Sequence, residues 1–84
     1  MMLVTTENIS GYIVQKTLGL VMAVREFKLS RPRKAIYEAI NTIIAQAKAR
    51  GANAITGLRI NTLTGNEIMA VIAYGTAVIA KSEK

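Results

Sequence analysis

The run "IMAVIAYGTAVIA", residues 68–80, limits what this 84-residue chain can fold into more than any other stretch does. It passes without a charge, and it is rich in β-branched residues. Side chains on a strand alternate between two faces. Ile68, Ala70, Ile72, Tyr74, Thr76 and Val78 form one row, and Met69, Val71, Ala73, Gly75, Ala77 and Ile79 form the other. Both rows are apolar, so a sheet containing this strand needs cover on both sides.

A chain of this length supplies such cover poorly. It reads as a single domain over residues 1–84, because so few residues close only one core. A domain of this size hides only about 60–65% of the surface its unfolded chain exposes. Small domains compensate with disulfides, a metal or self-association. There is no cysteine, which excludes disulfides, and no histidine, which leaves neither of the side chains that transition metals favour. Yet 51% of the residues are hydrophobic. Self-association is the compensation that remains.

The opening "MMLVTTENIS" has no basic start followed by an apolar run, so it does not read as a secretory signal. The apolar run near the end is shorter than the ~18–20 residues a membrane helix requires. A cytoplasmic protein with no membrane partner is the expectation.

Three segments carry regular patterning. In "SGYIVQKTLGLVMAV", residues 10–24, Tyr12, Val14, Leu18, Leu20, Met22 and Val24 share one parity, which predicts a strand. Ile13, Gln15, Thr17, Val21 and Ala23 share the other, and Gly19 marks a bulge or a close backbone approach. A helix follows, with Ser30 as a candidate N-cap and Pro32 near its start. Its apolar stripe is Ile36, Ala39, Ile40, Ile43, Ile44 and Ala47, and Lys48, Arg50 and Gly51 suit its end. "NAITGLRINT" and "EIMAVIAYGTAVIA" then form a hairpin turning at Gly65-Asn66. The expected fold is α+β, a β-α-β-β two-layer subunit with one long helix on a mainly antiparallel three-stranded sheet of order 1-3-2. Residues 1–7 offer a short edge strand.

Three motifs resemble a known family: "TTENISGY" at residues 5–12, "ARGANAITGLRI" at 49–60 and "AYGTAV" at 73–78. The chain is similar along nearly its whole length to the YbjQ/UPF0145 family. That resemblance implies a dodecin-like subunit fold and a ring-shaped homopentamer, and it brings the label "putative heavy-metal-binding". Longer members carry an insertion where this chain has only a short basic link, about Arg25–Arg31. Against the metal label stand the residues themselves. The acidic side chains are Glu7, Glu26, Glu38, Glu67 and Glu83, with no spacing that suggests a cluster. A symmetric ring of Glu7 or Glu67 is the one arrangement open to a hard ion, so metal binding is the weaker alternative.

The net charge is +6, with positives concentrated in "REFKLSRPRK" (Arg25, Lys28, Arg31, Arg33, Lys34). That excess makes a basic ring binding nucleic acid or another polyanion the alternative reading. Only Phe27 lies among those charges, whereas single-strand binders interleave stacking aromatics with basic residues. Arg31, Arg33 and Lys34 at the helix start form a candidate anion site. Polar residues for a small-ligand pocket are Thr5, Thr6, Arg59, Tyr74 and Thr76, joined by Asn8, Thr56 and Asn61. Without His, Cys, Asp or paired carboxylates, no catalytic residue, enzyme activity or cofactor is expected. The expected protein is a homo-oligomer, a pentamer by resemblance, that acts as a structural or small-ligand-binding assembly.

Overall fold

A computed structural model describes residues 1–27, 32–65 and 69–83. Within them the chain runs β1 (Met2–Leu3), β2 (Tyr12–Phe27), α1 (Pro32–Ala49), β3 (Ala54–Thr64) and β4 (Met69–Ser82). The expected N-cap Ser30 and the turn residue Asn66 lie outside the described residues. No described helix is long and apolar enough to cross a membrane.

The three-stranded, mainly antiparallel sheet of order 1-3-2 is corrected to a four-stranded mixed sheet of order β1-β3-β4-β2. β4 pairs antiparallel with both β2 and β3, while β1 lies parallel to β3. The cause is the outer edge of β3, whose backbone groups the N-terminal segment satisfies. Met2 and Val4 donate to the carbonyls of Asn53 and Ile55 at 3.1 and 3.0 Å, and Leu58 and Gly57 donate back to those of Val4 and Thr6 at 3.0 and 2.8 Å. Backbone groups without partners in an apolar setting are costly, so the arm is held despite its short strand.

The helix packs one stripe onto one sheet face. Ala35, Ala39, Ile43 and Ala47 meet Val21 and Ala23 of β2, Val71, Ala73 and Ala77 of β4, and Ile55 of β3. Alanine at three of those four helix positions lets the backbone of α1 approach the sheet closely. At its end, Gly51 and Ala52 donate to the carbonyls of Lys48 and Ala47 at 2.9 and 3.0 Å, closing the last turn.

The strands outrun this cover. An 18-residue helix spans roughly 27 Å at its standard rise, whereas the molecule extends 49 Å along its longest axis. On the opposite face a second small cluster, Ile9, Ala54, Val78 and Ala80, gathers under Met2 and Val4 at one end of the sheet. Among the described residues, nothing covers the remainder of that face. Register places Leu20, Thr76 and Thr56 in one cross-strand row, then Met22, Tyr74 and Arg59, then Val24, Ile72 and Asn61, then Glu26, Ala70 and Leu63. Leu20, Met22, Val24 and Leu63 are 58, 51, 47 and 54% exposed.

Candidate functional site

A groove of about 660 Å³ opens on the face of the sheet away from the helix. Three strands and the N-terminal arm build it. Val14, Thr17 and Leu20 come from β2, Thr56, Gly57 and Arg59 from β3, Tyr74, Gly75, Thr76 and Val78 from β4, and Glu7 and Asn8 from the arm.

Irregularities in the strands shape it. The pairing of β3 with β4 shifts between Thr56 and Arg59, and Gly57 in that bulge has a φ of +61°. The extra residue re-aims β3 so that Thr56 and Arg59, three positions apart, both face the groove. The β2 pairing also shifts, between Val14 and Lys16 and again between Thr17 and Gly19. As a result Thr17 lies opposite Val78 on the groove side, while Leu18 packs against the helix-side core. The parity expected from sequence, with Leu18 beside Leu20 and Thr17 behind them, is therefore corrected at these bulges. Gly75 is needed for a different reason. A Cβ there would stand 2.6 Å from Ile55 Cγ2 and 3.0 Å from the Thr56 carbonyl oxygen, so β3 and β4 could not meet behind the groove.

The candidate ligand residues divide into lining and support. Arg59, Tyr74 and Thr76 line the groove, as do Asn8 and Thr56. Thr5 and Thr6 stand behind it. The Thr5 carbonyl accepts from Arg59 Nη1, which also donates to the Leu58 carbonyl at 2.9 Å. The Thr6 hydroxyl donates to the Asn8 carbonyl and its own carbonyl accepts from Gly57, so it secures the arm. Asn61 Nδ2 donates to the Tyr74 hydroxyl at 3.5 Å. Val14, Thr17 and Leu20 are lining residues that the candidate set lacks: alternation puts Val14 and Leu20 on one row, as the structure has them, but sets Thr17 on the other. Gly19 signals an irregularity there: the shift beside it turns Thr17 to the groove side, and the second shift, between Val14 and Lys16, restores the facing of Val14.

Among the described residues, the basic segment does not join the groove. Arg25 Nη2 donates to Thr42 Oγ1 at 2.8 Å, tying β2 to the helix. Arg33 and Lys34 are exposed in the first turn of α1, which carries no acidic residue and lies on the other face of the sheet. Arg31 and Lys28 lie outside the described residues.

Comparison with known proteins places this geometry among relatives. A family model described as "Putative heavy-metal-binding" matches residues 25–81. A UPF0145 protein of Oenococcus oeni is 36% identical, with 93% of this chain and 95% of the relative covered. A UPF0145 protein of Thermococcus kodakarensis is 33% identical over 106 aligned positions, covering 99% of this chain and 94% of the relative. Those positions outnumber the 84 residues here, so the relative carries residues that this chain lacks. A crystal structure of a protein of unknown function from Pediococcus pentosaceus, of the DUF74 family, shares the fold. Its TM-score is 0.75 at 21% identity, over 96% of this chain and 98% of that one.

The residues present do not fit the heavy-metal description. Soft ions select thiolate or imidazole donors, and the sequence has neither Cys nor His. Among the described residues no three His, Cys, Asp or Glu side chains gather where an ion could be held. Among the described residues Glu7 is the sole acidic side chain in the groove, and Arg59 shares the site with it.

Proposed function

The chain belongs to the YbjQ/UPF0145 family, and from that premise we propose that it works as a non-catalytic homo-oligomer, a pentamer, that binds a small ligand in the sheet-face groove. The observation that carries this reading is the uncovered face. Leu20, Met22, Val24 and Leu63 sit about half exposed on the side of the sheet that the helix does not reach. Completing the burial of each contributes on the order of 1 kcal/mol, and every protomer brings the same set. An apolar strip of that kind on a small domain marks an interaction surface. A second copy is the occupant that a chain short of its own cover would recruit.

The groove supports the ligand half of the reading. Its volume falls within the ~300–1,000 Å³ typical of small-molecule sites, and a few polar groups converge on apolar walls. Among its described lining residues no nucleophile is paired with a base, in keeping with binding rather than turnover.

Replacing Met22 and Leu63 with lysine tests the assembly. Both positions are exposed in the single subunit, so the variant subunit retains its own core. Wild-type protein is expected to elute as a multimer and the double variant several-fold smaller. Identical elution of the two would remove this face from the interface.

A further inference from the structure

We propose that the groove binds a small carboxylate with an apolar body, gripped by the free side of the Arg59 guanidinium; this deepens the ligand-binding half of the proposed function and rests on it. Arg59 Nη1 is held by the carbonyls of Thr5 and Leu58, which fix the guanidinium plane. Among the described residues its Nε and Nη2 donate to nothing. Those two N–H groups form the side-on pair that matches both oxygens of a carboxylate.

Neutral donors line the same groove as the fork. Thr56 and Thr76 face each other across β3 and β4, and Tyr74 is the cross-strand neighbour of Arg59. Thr56 is only 6% exposed, and its hydroxyl has no hydrogen-bond partner among the described residues. Since no fully buried side-chain oxygen there is left unsatisfied, that hydroxyl opens on the groove. The Tyr74 oxygen accepts from Asn61 and keeps its own O–H to donate. Val14, Leu20 and Val78 supply an apolar wall for the rest of the molecule.

Charge selects a monoanion. One guanidinium balances one negative charge, and Glu7 on the same lining adds repulsion that a dianionic phosphate would feel more strongly.

Isothermal titration of the full chain with octanoate, octan-1-ol and octylamine tests the assignment. Octanoate is expected to bind at least about tenfold more tightly than either of the others, the scale of one charge-assisted contact. Arg59→Lys keeps the charge but loses the fork, and should weaken octanoate about tenfold. Thr76→Val removes a hydroxyl that holds no bond among the described residues, so the fold is expected to persist, and should weaken octanoate about threefold. Glu7→Gln should tighten it. Tighter binding of octanol or octylamine than of octanoate would overturn the carboxylate assignment while leaving a ligand site in place. So would octanoate binding that neither Arg59→Lys nor Thr76→Val changes. Failure of all three probes to bind assembled protein would overturn the ligand site as well.

Discussion

At the scale of single residues, two glycines carry more of the structure than their size suggests. A methyl group on Gly75 would run into Ile55 Cγ2 and into the backbone oxygen of Thr56, and Ile55 is fully buried. Backbone cannot step aside as a flexible side chain can, so Gly75→Ala should destabilise the fold by about 1–3 kcal/mol, seen as a lower denaturant midpoint. Gly57 differs, since a Cβ there meets nothing within 4 Å and the cost is purely conformational. Its left-handed φ should make Gly57→Ala cost about 1–2 kcal/mol in the same measurement. Alternation in the last strand set Tyr74 and Thr76 on one row, and they do share the open face, because β4 pairs with β2 without a shift through that stretch and the extra residue opposite it lies in β3. The same alternation misplaced Thr17 and Leu18. A bulge changes facing without changing composition, and Gly19 is a signal for irregularity but not for its direction.

At the scale of elements, side-chain amides complete the sheet where strands run out. β2 lies at an edge, and Gln46 on α1 treats it as a neighbouring strand would. Its Oε1 accepts from Met22 N at 3.2 Å and its Nε2 donates to Met22 O at 3.0 Å. Arg50 Nη1 adds a bond to the Leu20 carbonyl at 2.7 Å. Exposed strand edges template aggregation, so helix side chains that occupy this edge also protect it. Gln46→Leu should lower stability by about 1 kcal/mol and raise turbidity on heating. Asn53 plays the same part between β3 and β4, donating to the Ala80 carbonyl and accepting from the Ala80 amide, both at 2.8 Å. Asn53→Ala should cost about 1–3 kcal/mol, since both Ala80 groups lose their partner in a buried setting. That bond also gives the asparagine of "GANAITG" a structural role. The helix was legible because its apolar residues recur at helical spacing beneath one long stripe, ending at Gly51. β1 was legible only as a suggestion. Two residues are too few to show a period, and their pairing is dictated by the open edge of β3. The end of β2 was hidden for another reason. Arg25–Phe27 read as a charged link, yet Arg25 reaches Thr42 and the strand continues to pair with Met69–Val71.

At the scale of the whole molecule, one helix is asked to cover a sheet nearly twice its length and two-sided in its hydrophobicity. The helix-side face is well filled, from Val21 to Ala77. The opposite face divides into an end closed by the N-terminal arm, a groove around Arg59, and the open rows from Met22 to Leu63. Composition anticipated that division only in outline: both rows of the last strand are apolar, while a single helix packs on one face. Where the polar groove would sit within an apolar face depended on register, and therefore on bulges. The most direct measurement is the absolute mass of the assembled protein by light scattering at micromolar concentration. A mass of five chains is expected, reduced several-fold when Met22 and Leu63 are both replaced with lysine. A well-folded single copy, its open rows bare to water, would contradict the shared face.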